Sequence, residues 1–259
     1  MLCDMTPPDS LTRMTATPSW LVGLFALLVA ALLSIQSGHT EDTTEEETPR
    51  QLSVVELFSS QACGACPPAV ELLQEIAQRP DVLALSWSVN YFDHDSWQDT
   101  LAKPAFGARQ RRYNIQHGIP GVRTPQMVIG GQVDIVGAKP DEVKAALARA
   151  GIKSRPIHVK HTAEGISFDL PASDTIRRGT VTLVHFWDEV SVDIAAGENQ
   201  GKTMTYRHAV MDIKPIGIWD GSAQHFSLSA ADLCDHGNAL LVQDEDSGAI
   251  IFAALIRRP

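Results

Sequence analysis

The residues of this chain best suited to chemistry are two cysteines separated by two residues. Cys63 and Cys66 follow an apolar run, and Pro67 begins a pattern that is typical of a helix. A Cys-x-x-Cys pair at a helix N-terminus can close a small disulfide, and the helix dipole favours the thiolate of the first cysteine. The same spacing occurs in zinc sites and in structural disulfides. A zinc site is disfavoured because the sequence has no second Cys-x-x-Cys and no Cys/His cluster to complete it.

Regular elements surround this pair on both sides. The apolar periodicity and the Pro and Gly positions predict a β-α-β-α-β-β-α order for residues 52–153. The predicted elements are strand 52–58, helix 67–78, strand 82–89, helix 104–113, strand 126–129, strand 132–136 and helix 140–150. In this order the first strand and the first helix deliver the two cysteines.

The remainder of the chain, residues 154–259, has a different character. Short apolar runs alternate there with turns rich in Gly, Asp and Asn. This spacing predicts an antiparallel, β-rich, sandwich-like domain. The α/β domain at 52–153 and this C-terminal domain make up the folded part of the protein.

The N-terminal 51 residues predict export rather than folded structure. Residues 1–38 contain an apolar stretch at 20–35 that is shorter than the ~20 residues needed to span a bilayer and suits a signal-peptide core. An uncleaved N-terminal membrane anchor is the alternative. Residues 39–51 are acidic and polar and are expected to form a disordered linker. The formal net charge of −10 argues against a nucleic-acid partner.

A Thr-Pro pair precedes the predicted hairpin. Together with the Cys-x-x-Cys after the first strand, Thr124 and Pro125 give the chain a resemblance to the thioredoxin fold. The resemblance implies that the Thr124–Pro125 bond is cis and packs beside the thiols. It also implies that the backbone of Thr124 pairs with an extended substrate segment.

Short motifs occur in order along most of the chain. They are Val55-Glu56-Leu57-Phe58, Cys63-x-x-Cys66-Pro67-Pro68, Asn90-Tyr91-Phe92-Asp93 with Trp97, Ala108-Arg109-Gln110-Arg111, Thr124-Pro125-Gln126-Met127-Val128, Gly197-Glu198-Asn199-x-Gly201-Lys202-Thr203 and Trp219-Asp220-Gly221. With these motifs the chain resembles the secreted, thioredoxin-like family catalogued as domain of unknown function 1223. The resemblance implies fold and export, in the periplasm or outside the cell, and it brings no assigned biochemistry.

The expected function is thiol-disulfide exchange with protein thiols or disulfides and an unidentified redox partner, without a cofactor or a metal. Cys63 would attack and Cys66 would resolve the mixed disulfide, so that the two alternate between dithiol and disulfide. Glu56 is a further catalytic candidate, because thioredoxins use a buried acid before their cysteines to relay protons to the second one. The alternative is that Glu56 points outward or pairs with an arginine such as Arg109, Arg111 or Arg112.

Two other functions stay open at this stage. Paired thiolates with a histidine could bind or deliver copper(I), and His94 and His117 are candidates from their position in the sequence. The chain could also be a non-enzymatic binding module with a structural disulfide. The loop 90–99, with Tyr91, Phe92 and Trp97, either faces a substrate or packs against the second domain.

Overall fold

The computed structural model describes residues 49–94, 96–149 and 152–256 of the chain. The predicted export segment at 1–38 and most of the linker at 39–51 lie outside the described residues. Within the described ranges, no helix has both the length and the apolar character needed to cross a bilayer.

The first half of the described chain has the element order that the sequence predicts. Each element starts within one residue of its predicted start. The elements are β1 (Ser53–Ser59), α1 (Pro67–Ala77), β2 (Val82–Ser88), α2 (Pro104–Gln116), β3 (Gln126–Ile129), β4 (Val133–Val136) and α3 (Pro140–Leu147).

Helices cover both faces of the sheet in this half. Strand β1 pairs in parallel with β2 and antiparallel with β3, and β3 pairs antiparallel with β4. Alternate residues of β1 point to opposite faces. Val55 and Leu57 pack with α1 and α3, whereas Val54 and Phe58 pack with α2. All seven residues of β1 are therefore buried, although Ser53, Glu56 and Ser59 are polar.

The second half adds strands to the same sheet. Its elements are β5 (Arg155–Pro156), β6 (Val159–Thr162), β7 (Gly165–Leu170), β8 (Gly179–Asp193), β9 (Thr203–Trp219), β10 (Gln224–Ser229), β11 (Gly237–Asp244) and β12 (Ile250–Ile256). The large sheet has the order β4-β3-β1-β2-β9-β8-β11-β12-β5, and β10, β7 and β6 form a separate three-stranded sheet.

This topology corrects the prediction of a separate sandwich-like domain at 154–259. The residue pair Ser86 and Ala209 joins β2 to β9, so strands from both sides of the predicted boundary share one sheet. The three-stranded sheet packs through Phe168 against apolar residues of β8, β11 and β12. The protein is therefore a mixed α/β structure with one large sheet and few helices.

Strand β8 is longer than the apolar runs of the sequence. The runs at 180–187 and 191–195 are separated by polar residues, but β8 continues through Asp188 and Glu189, where its pairing with β9 continues. After Phe186, where the pairing of β8 with β11 ends, β8 and β9 continue as a two-stranded arm. The arm packs against α1 through Val190 and Tyr206. The end of the arm, residues 194–202, is called the arm tip below.

Candidate dithiol site

The two cysteines lie in the loop between β1 and α1. Cys63 is 5% exposed and Cys66 is fully buried, and no disulfide joins them. The backbone N–H of Cys66 donates to the carbonyl of Cys63 (3.0 Å), which closes the turn between the two thiols. Cys66 is the N-cap of α1 and Pro67 follows at the first helical position, where a missing N–H costs nothing.

The two thiols have opposite acidities. The pKa of Cys63 is lowered to about 6, first because of a hydrogen bond with the Cys66 thiol; burial opposes this shift, and the Thr124 side chain and the backbone of Ala65 support it. The pKa of Cys66 is raised, because its thiol is hydrogen-bonded to Cys63 and because it is buried. Near neutral pH, Cys63 is therefore the thiolate and Cys66 the thiol that donates to it.

Thr124 and Pro125 lie beside the thiols, and the peptide bond between them is cis. Tyr91, from the loop after β2, also lies at this site. Its pKa is raised to about 12, mainly by burial and in part by the two cysteines. The structure thus brings together Cys63, Cys66, Thr124 and Tyr91. In the same loop, Trp97 packs beside α1 and Phe92 is exposed.

Glu56 occupies a different place. It shares the β1 face of Val54 and Phe58, opposite α1, and its two oxygens accept bonds from Arg109 (Nε to Oε1 2.6 Å, Nη2 to Oε2 2.9 Å). The hydroxyl of Tyr113 donates to the same carboxylate. Of the two interpretations that the sequence left open, the contacts of Glu56 correspond to the arginine pair.

A buried acid that the sequence did not single out holds the dithiol loop instead. Asp99 is 5% exposed and accepts from the backbone N–H groups of Gln61 (2.8 Å) and Leu101 (3.0 Å). Burial raises the pKa of Asp99 to about 6, although these two bonds partly oppose the shift. Gln61 also forms two side-chain bonds with Thr100. Asp99 therefore links the loop after β2 to the loop that carries the cysteines.

The raised pKa of Asp99 predicts a pH dependence of stability. Between pH 4 and 6 the folded protein holds a proton on Asp99 that the unfolded chain has released. The contribution of this group is complete below about pH 4 and is lost as the pH rises through 6. The loss should be about 2–3 kcal/mol, since each pKa unit is worth about 1.4 kcal/mol.

Urea unfolding at pH values from 4 to 7 measures this contribution. We expect the free energy of unfolding of Asp99→Asn to fall less between pH 4 and 6 than that of the unchanged protein. The exposed Asp141→Asn serves as the control and should follow the unchanged protein. Parallel pH profiles for all three proteins would contradict the assignment.

The arm tip contacts the dithiol loop from the other side. The amide nitrogen of the buried Asn199 donates to the carbonyls of Gln61 (2.9 Å) and Cys63 (2.8 Å). The neighbouring Glu198 accepts from the backbone N–H of Gly64 through Oε2 (2.7 Å). A β-carbon at Gly64 would meet this carboxylate, so a larger residue there would displace the Glu198 side chain. In the sequence, these contacts are marked only by the Gly197-Glu198-Asn199 motif. The motif alone does not show which residues it contacts.

The two histidines considered for copper each contact a group other than a cysteine. His117 lies at the end of α2, where its Nε2 is 3.0 Å from the carbonyl oxygen of Gly131. The ring of His94 contacts Ser96 through Nδ1 (2.8 Å). Across the described residues, no group of three His, Cys, Asp or Glu side chains is arranged to hold a metal ion.

Fold and site together define a mixed α/β protein with a helix-capping Cys-x-x-Cys pair. The chain belongs to the family described as protein of unknown function DUF1223, whose model matches residues 54–243. This result confirms the resemblance drawn from the motifs. A search of curated proteins gave no match.

Two solved structures are similar to this chain. A crystal structure of a protein from Agrobacterium tumefaciens has 30% identity and a TM-score of 0.67, and the match covers 82% of this chain and 96% of the other. HBP35 of Porphyromonas gingivalis has 16% identity and a TM-score of 0.52, with 81% of this chain and 76% of the other covered. At that identity the second match bears on the fold alone.

Proposed function

We propose that this protein is an exported thiol-disulfide exchange protein in which Cys63 is the attacking thiolate and Cys66 the resolving thiol. The observation that carries the proposal is the asymmetric pair, in which the Cys66 thiol stabilises the Cys63 thiolate and lowers its pKa to about 6. A structural disulfide has no need of this asymmetry. Attack on a disulfide does need it, because only the thiolate is a nucleophile.

The surrounding fold supports the proposal. The strand order β4-β3-β1-β2, with α1 and α3 on one face and α2 on the other, is the arrangement that we assign to a thioredoxin-like half at residues 53–147. The cis Thr124–Pro125 bond beside Cys63 agrees with this assignment. The backbone of the half-buried Thr124, next to Pro125, is where we place an extended segment of a protein substrate.

The proposed reaction is a pair of sulfur exchanges. The Cys63 thiolate attacks one sulfur of a substrate disulfide, the substrate S–S bond breaks, and the leaving thiolate takes a proton from water. Cys66 then loses its proton and attacks the sulfur of Cys63. The second substrate thiol leaves, and the Cys63–Cys66 disulfide remains. The substrate is reduced by two electrons and the protein is oxidised by two, so an external thiol or a redox partner must regenerate the dithiol.

The pH dependence of alkylation tests the activated thiol. The rate constant for iodoacetamide modification of Cys63 should rise with pH and reach half its maximum near pH 6. Cys66→Ala should shift this midpoint upward, because the variant lacks the main hydrogen-bond donor. A midpoint near 8.5 in the unchanged protein, the value of an ordinary thiol, would contradict the proposal.

The reduction potential of the pair separates exchange from a structural role. Equilibration with glutathione buffers should give a value between about −120 and −270 mV, the range of exchange proteins. A value below about −300 mV would indicate a structural bridge.

A further inference from the structure

Glu198 is the charged side chain that reaches the loop between the two cysteines. It comes from the arm tip, and its Oε2 accepts from the N–H of Gly64, the residue that follows Cys63. The side chain is exposed, so its second oxygen is accessible to a partner. A negative charge therefore lies against the backbone of the residue that follows Cys63.

No side chain in the described ranges forms an ion pair with Glu198. The nearest cation of the arm tip, Lys202, donates to the amide oxygen of Asn199 (2.9 Å). His94 lies near Gly197 and is bonded to Ser96. Asp93, in the same exposed loop as His94, accepts from the backbone N–H of Asp99 (3.0 Å). The Glu198 charge is thus held in place by Gly64 and is not neutralised by a partner.

From this placement we propose that Glu198 selects substrates that carry a lysine or arginine beside their reactive cysteine. The inference rests on the proposed exchange function and adds its substrate class. A substrate sulfur that approaches Cys63 brings its flanking side chain toward Gly64, the residue that Glu198 contacts. A cation in that position is attracted and a carboxylate is repelled.

The expected size of the effect follows from the exposure of the site. Two unit charges about 4 Å apart in water change a rate constant by about 3- to 10-fold. Because salt screens exposed charges, the preference should shrink as the ionic strength rises from about 0.05 M to about 1 M.

The test uses single-turnover exchange with the reduced full-length protein. The substrates are disulfide-linked dimers of one neutral host peptide, with lysine, glutamine or glutamate beside its cysteine. Acid quenching and mass spectrometry give the rate constant for each peptide. The ratios between peptides cancel any change in the reactivity of Cys63 itself.

Two variants complete the design. Glu198→Gln keeps an oxygen that accepts from Gly64 but removes the charge. Glu189→Gln removes an equally exposed carboxylate of the same arm, which pairs with Arg207 and does not touch the dithiol loop. We expect the ratio of the lysine to the glutamine rate constant to be about 3- to 10-fold higher in the unchanged protein and in Glu189→Gln than in Glu198→Gln, because the Cys63 thiolate and the leaving thiol favour a neighbouring cation equally in all three proteins.

The outcomes separate this inference from the function on which it rests. Exchange with all three peptides at equal rates in the unchanged protein would overturn the inference and leave the exchange function standing. A lysine-to-glutamine ratio that is the same in Glu198→Gln as in the unchanged protein would overturn it as well. Failure of every peptide to react would overturn the exchange function and, with it, this inference.

Discussion

Replacing Arg109 by leucine should lower the free energy of unfolding by about 3–5 kcal/mol. The guanidinium is 5% exposed and binds both oxygens of the fully buried Glu56. Arg109 also donates to Gln243 on β11 (3.0 Å) and stacks over the ring of Trp87. Without the arginine, Glu56 must either stay charged in an apolar layer or take up a proton, and both cost free energy.

Urea unfolding of matched variants checks this expectation. Arg112→Leu, at an exposed position of the same helix, should change the free energy of unfolding by less than about 0.5 kcal/mol. The double variant Arg109→Leu with Glu56→Gln should recover part of the loss, because it removes the buried unpaired charge. Equal losses from Arg109→Leu and Arg112→Leu would contradict a structural role for the pair.

Glu56→Gln alone also bears on catalysis. Since Glu56 lies on the sheet face opposite α1, we expect this variant to resolve mixed disulfides at the rate of the unchanged protein. A slower second step, measured in single turnover, would instead show that Glu56 supplies or removes a proton at Cys66.

The two cysteine variants should fail in different ways. Cys63→Ser removes the nucleophile, so the rate of exchange should fall to that of the uncatalysed reaction. Cys66→Ser keeps the nucleophile but cannot resolve, so the protein should accumulate as a mixed disulfide with the substrate.

Mass spectrometry after quenching with iodoacetamide distinguishes these products. Each variant is the control for the other, since both remove one sulfur from the same loop. Trapping of substrate by Cys63→Ser, or equal turnover by both variants, would overturn the assigned roles.

Local signals explain which parts of the fold could be predicted. Residues 53–147 carry clear apolar periodicity, and prolines start all three helices, so the element order and most boundaries followed from the sequence. The Cys-x-x-Cys pair was found for the same reason, because its spacing is local. The C-terminal strands were also found, but their partners were not. The sequence of a short strand does not indicate with which other strands it pairs.

The contacts that shape the site are mostly distant in sequence. Glu56 illustrates the difficulty, since both faces of β1 are buried and the apolar pattern cannot show which face the carboxylate takes. Its partner Arg109 is 53 residues away. Asp99 accepts from the backbone N–H of Gln61. The position of a carboxylate in a polar loop does not predict such a contact. Such contacts appear only when the chain is folded.

Asn199 holds the carbonyl of Cys63 from 136 residues further along the chain. The cysteines lie in one segment of the chain, whereas a contact that fixes their loop comes from a distant segment, the arm tip. A substitution in either segment therefore affects the other. A fragment ending after α3 would keep both thiols but lose the amide that fixes the turn between them. The conformation of the dithiol loop therefore depends on the large sheet as a whole and not on the Cys-x-x-Cys motif alone.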